Sequence, residues 1–137
     1  MKFILMMHTR WGETGDYDIF KWPPSALDQH MKFLGALNQE LEQEGALVGI
    51  EGLSAPNQAK LVRANPNGGP PITDGPFAES KEFLAGWWII DVESPERACE
   101  IAARASAAPG PNGAPLNMAI EVRTFLSGPP PKRGRTP

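Results

Sequence analysis

Two stretches constrain the fold of this chain more than any other: Lys2 to His8 and Leu84 to Val92 are each apolar on both faces. Successive side chains of a strand point to opposite sides. Phe3, Leu5 and Met7 therefore share one side of the first stretch, with Ile4 and Met6 on the other. In the second, Trp87 and Trp88 are adjacent and so point opposite ways. Strands of this kind sit in the middle of a sheet that is covered on both sides.

The rest of the chain offers two helices as cover. Ser25 reads as an N-cap with Asp28 three residues on, Leu27, Met31, Leu34, Leu37 or Asn38, and Leu41 recur at helical spacing, and Gly45 supplies a stop. This predicts a helix over Ala26 to Glu44. Ser94 caps a second helix with Pro95 at its first position, where a missing N–H costs nothing. Ala98, Ile101, Ala102 and Ala105 form its buried stripe, small enough to bring it close to a sheet. Cys99, beside that stripe, reads as buried filler, since nothing marks it as activated.

Ala46 to Leu53, interrupted by Gly49 and Gly52, and Met118 to Leu126 read as further strands. Ala59 to Ala64 and Pro71 to Thr73 flank the turn-rich Asn65-Pro66-Asn67-Gly68-Gly69-Pro70, the pattern of a hairpin. The order is thus strand, helix, strand, inserted hairpin, strand, helix, strand. Without the hairpin this is the α+β, ferredoxin-like βαββαβ arrangement, an antiparallel sheet with both helices on one face. Two helices leave the second apolar face bare, and monomers rarely expose such a patch. A second copy of the chain, sheet against sheet, is the economical cover, so a homodimer is expected.

At 137 residues the chain has room for one domain, taken as 1–127, followed by a disordered Pro/Gly/basic tail over 128–137. Removing the charges of Lys132, Arg133 and Arg135 from a net −3 leaves −6 on the body, which argues against a nucleic-acid partner. No apolar run approaches the roughly 20 residues of a membrane span. The opening residues are too short an apolar run for a signal peptide, and the single Cys99 fits a reducing compartment, so a cytoplasmic location is expected. Trp11, Tyr17, Phe20 and Trp22 crowd the Thr9 to Pro24 loop, either folding it back as a lid or pinning it to the body.

Candidate chemistry gathers around Thr73-Asp74-Gly75-Pro76-Phe77-Ala78-Glu79-Ser80-Lys81-Glu82. Gly75 and Pro76 impose a turn, and Asp74 stands at its corner. Asp74 either satisfies the backbone after it or acts as a general acid or base, its pKa then lifted by burial from about 3.9. His30, on the edge of the first helix's apolar stripe, and His8, at the end of the first strand, are either packing residues or its proton-exchanging partners. Strand alternation puts Glu121 and Arg123 opposite Ile120 and Val122. Such charges bridge each other or a partner chain, or Arg123 grips an anionic ligand. Trp87 and Trp88 are core and dimer packing or a pocket wall. The two histidines lack paired spacing, so no metal is expected; no phosphate loop, nucleophile elbow or dinucleotide fingerprint points to a cofactor.

Thr73 to Glu82, running on into Leu84-Ala85-Gly86-Trp87-Trp88-Ile89-Ile90-Asp91-Val92, resembles the signature of the DGPF proteins within the YCII-related family. Gly45 to Leu53 followed by Pro56, and Ile120-Glu121-Val122-Arg123, are also similar to that family, so the resemblance spans about Leu34 to Phe125. It implies a dimeric α+β barrel of ferredoxin-like subunits with a largely undefined role. A His–Asp pair in smaller relatives has suggested an enzyme, and the resemblance places Asp74 and His30 at those positions. Some members are linked to sigma-factor-type transcription regulation. The reading is thus a dimer that binds a small molecule, converting it by acid–base chemistry without a cofactor, or else a regulatory module.

Overall fold

β1 (Lys2–Arg10) and β5 (Glu82–Asp91) lie side by side at the centre of a four-stranded antiparallel sheet in the computed structural model of this chain. It describes residues 1–10, 19–69, 72–74 and 82–126. β2 (Leu47–Gly52) pairs with the outer side of β5, and β6 (Ile120–Thr124) with the outer side of β1, both antiparallel. The two strands that are apolar on both faces are therefore the two interior ones, as their composition requires. The order β2-β5-β1-β6 is that of a ferredoxin-like α+β fold. β3 (Lys60–Val62) and β4 (Ile72–Asp74) pair with each other as a separate two-stranded ribbon, the expected hairpin. Asn65 Oδ1 accepts the Asn67 N–H at 3.0 Å in its loop, and Gly68 takes a φ of 130°.

One face of the sheet carries the core. Phe3, Leu5, Met7, Trp88 and Ile90 are buried against Leu37 and Leu41 of α1 (Pro24–Gln43) and Ala98, Ile101, Ala102 and Ala105 of α2 (Pro95–Ser106). The four buried residues of α2 are those its spacing predicts. Ser94 Oγ accepts the Arg97 N–H at 3.1 Å, the predicted cap. Cys99 is exposed, not buried filler. It follows Ala98 by one residue, about 100° around the helix, which carries it off a stripe as narrow as this one.

α1 corrects a second expectation. The helix begins at Pro24, with Pro23 in the cap position at φ −55° and ψ 139°, and no side chain caps it. A proline forces the residue before it out of helical angles while fitting the first helical turn itself, so Pro23-Pro24 sets the boundary and Ser25 falls inside. The carbonyl of Pro23 takes the Ala26 and Leu27 N–H groups instead. Gly45, at φ 73°, ends the helix as expected.

The opposite face of the sheet presents Ile4, Met6, Trp87 and Ile89, all half-buried, while both helices sit on the Phe3 and Trp88 side. Among the described residues no helix is long and apolar enough to cross a membrane. Gly75 to Lys81, most of the loop after β1, and residues 127–137 lie outside the described residues, so the lid, turn and tail expectations are not addressed by the structure.

Candidate functional site

A cavity of about 260 Å³ opens between α1 and the β2–β5 edge of the sheet. Met31, Leu34, Gly35 and Asn38 face it from the helix, at the i, i+3, i+4, i+7 spacing of a single side. Ile50 to Leu53 and Ala85 to Trp88 close it from the strands. The strands approach closely here: a Cβ on Gly86 would stand 2.9 Å from the Glu51 carbonyl oxygen, a contact only glycine avoids.

His30 forms part of the wall and has no solvent exposure. Its Nδ1 lies 2.9 Å from the carbonyl oxygen of Pro109, in the loop after α2. A carbonyl only accepts, so Nδ1 carries the hydrogen and the neutral ring has its lone pair on Nε2. Burial lowers the His30 pKa, against the opposing pull of the Pro109 carbonyl, which favours this neutral form. Trp22 meets the ring edge-on, with centroids 5.1 Å apart and planes at 83°, so that part of the preceding loop is pinned to the body. The ring is thereby fixed in tautomer and orientation from two directions.

Asn38 supplies the second polar group. Its Oδ1 accepts the Trp88 indole N–H at 2.8 Å, which satisfies a donor that burial would otherwise strand. The amide therefore ties α1 to β5 across the cavity wall. Trp87 and Trp88 both border the cavity although their side chains belong to opposite faces; the Trp87 ring lies over Gly49, on the face away from the helices.

Of the other sequence candidates, His8, Glu121 and Arg123 lie elsewhere. Asp74 ends β4 opposite Lys60, and its side chain lies outside the described residues, as does most of the motif that follows it. His8 lies on the other side of the sheet, with Nε2 3.1 Å from Glu121 Oε1. The structure thus brings His8 to Glu121 and separates it from His30. Glu121 and Arg123 stand opposite Met6 and Ile4 in the β1–β6 pairing, on the face away from the helices, as alternation predicts. Glu121 is joined to His8 rather than bridged to Arg123, and both it and Arg123 are exposed. Among the described residues no group of three or more His, Cys, Asp or Glu is close enough to hold a metal ion. Asn38, Gly35 and Glu51 were not singled out from sequence; a polar residue and a glycine interrupting one side of an amphipathic helix was the available signal.

Comparison with known proteins gives a consistent picture. The model of the YCII-related domain matches residues 1–111, from the first strand through α2 to the loop that holds the Pro109 carbonyl, and leaves β6 outside the match. An uncharacterized protein of Rhizobium meliloti (strain 1021) is 30% identical over 102 residues, spanning 74% of this chain and 77% of its own.

Proposed function

The chain belongs to the YCII-related domain family, of undefined function, and from that membership and the cavity we propose that it binds a small organic molecule beside His30 and turns it over by acid–base chemistry. The observation that carries this reading is the His30 ring: buried, neutral, held by Pro109 through Nδ1, and part of a cavity wall large enough for a ligand. A neutral imidazole can take up a proton and return it. Asp74 is the second group of the reading, stabilising the imidazolium while the proton is held on the ring. Glu121 and Arg123 belong instead to the far face of the sheet, where Ile4, Met6 and Ile89 support a homodimer. Catalysis, ligand and dimer are one proposal in a single frame: each protomer carries its own cavity, and the sheet faces meet away from it.

A thermal-shift screen of metabolites against the wild-type protein, repeated on His30→Asn, tests the site. Ligands that stabilise the wild type and move the His30 ring signals in NMR are the expected result. Hits that stabilise both proteins equally and leave the ring signals unmoved would sink it, and leave a regulatory module as the better reading.

A further inference from the structure

Resting on that reading, we infer that Asn38 determines specificity: its side-chain N–H groups hold the oxygen of an elongated carbonyl compound whose other end lies at His30. The orientation of the amide comes first. An indole N–H only donates, so the Asn38 atom 2.8 Å from Trp88 Nε1 is the oxygen, and the nitrogen is the arm left over. The buried Trp88 ring keeps it that way, because turning the amide over would set donor against donor. Asn38 is half-buried on the cavity side of α1, and Trp88 lines the same wall. The amide is thus anchored by its oxygen and offers N–H donors at the cavity surface.

What those donors select follows from their surroundings. Met31, Leu34 and Ile50 line the same space and are apolar. On such a wall a few placed polar groups fix the orientation of a ligand. A hydrocarbon there expels water and leaves the N–H groups without an acceptor, whereas a ketone, ester or amide oxygen takes the place of the water. His30 and Asn38 both line the cavity but stand eight residues apart on α1, about 12 Å along its axis. The oxygen that Asn38 holds is therefore remote from the proton that His30 exchanges: one residue anchors the molecule and the other reacts with it. An apolar cavity of about 150 Å³ holds benzene, so the roughly 260 Å³ here has room for a ring carrying a short chain.

Benzylacetone and butylbenzene have the same length and differ in one group, a carbonyl in place of a methylene. Asn38→Asp keeps an oxygen for the Trp88 N–H and puts a second oxygen where the donors were. Calorimetric titration of the full-length protein at pH 8 is expected to show this substitution weakening benzylacetone at least tenfold and butylbenzene by less than twofold. The isotope-labelled carbonyl carbon of bound benzylacetone should resonate in the wild type where a hydrogen-bonded ketone does, and in the variant where a ketone in hydrocarbon does. Equal losses for the two probes, an unchanged affinity for benzylacetone, or no binding of either to the wild type overturns the inference. Should the variant not fold, the carbonyl signal in the wild type decides alone: a position as in hydrocarbon overturns it. The proposal of a site at His30 is judged separately. A probe that moves the His30 ring signals leaves that site standing whatever its carbonyl reports, and binding of both probes without such movement removes it.

Discussion

The state of one imidazole decides whether this cavity does chemistry. In the unfolded chain His30 takes up its proton near its ordinary value of about 6.5, and in the folded protein only at lower pH. Between those values the unfolded state binds one more proton, so stability is undiminished above about 6.5 and falls as the pH drops below it. The slope from this group is at most about 1.4 kcal/mol per pH unit. Asn in place of His30 keeps a donor for the Pro109 carbonyl and removes the titration. Urea midpoints at pH 7.5 and 5.5 are therefore expected to diverge more for the wild type than for His30→Asn, which differs from it in this one ring. Equal divergence would show that the ring is not held neutral. His30 was visible in the sequence as a histidine at the edge of an apolar stripe. Its partner was not, because Pro109 is 79 residues away and only the packing of α2 brings its carbonyl to the ring.

At the level of elements, the site depends on how tightly β2, β5 and α1 are drawn together. Gly86→Ala forces a methyl to 2.9 Å from the Glu51 backbone, which a strand cannot yield as a flexible side chain would. A loss of about 1–3 kcal/mol is expected in the urea midpoint, as for other overpacked sites. Asn38→Leu keeps the volume but leaves the Trp88 N–H without its acceptor, at a cost of about 1–3 kcal/mol. A red-edge change in tryptophan emission would report the altered indole. The strands, both helices and the inserted hairpin were legible because their signals are local: alternation, helical spacing, Ser94-Pro95, and the turn at Asn65. α1 was misjudged at its start because two competing local signals, a capping serine and a proline pair, stand one residue apart, and the proline's steric demand prevails. Cys99 was misjudged because a stripe of alanines is narrow, and one residue beside it already faces solvent. His30, Trp87 and Trp88 were named from sequence, but the cavity they line was not legible, since it arises where Gly35, Gly52 and Gly86 from three elements meet.

The whole molecule poses one further question, that of its second sheet face. Both interior strands carry apolar side chains there, and Ile4, Met6, Trp87 and Ile89 are only half-buried in the single chain. Ile89 lies near the middle of this surface, opposite Ile4 on β1 and Gly49 on β2. Gly49 has no side chain of its own, and the Trp87 ring lies within 3.5 Å of where its Cβ would be, so the surface is flattened over β2 and suited to a broad sheet-on-sheet contact. Polar groups border it: the His8–Glu121 pair and Arg123 on β6, and Glu51 on β2. An apolar centre with a charged margin is the anatomy of a stable interface. Sedimentation at micromolar concentration is expected to give twice the 14.9 kDa of one chain, with little dependence on salt, because burial rather than charge holds the copies together. Ile89→Lys should reduce the mass to that of one chain while the far-UV spectrum is kept. In a protein that is monomeric to begin with, a lysine on this half-exposed face would change the mass not at all and the stability by only about 0.5 kcal/mol. A wild type that sediments as a monomer, or a lysine variant that remains a dimer, would exclude this face as the interface.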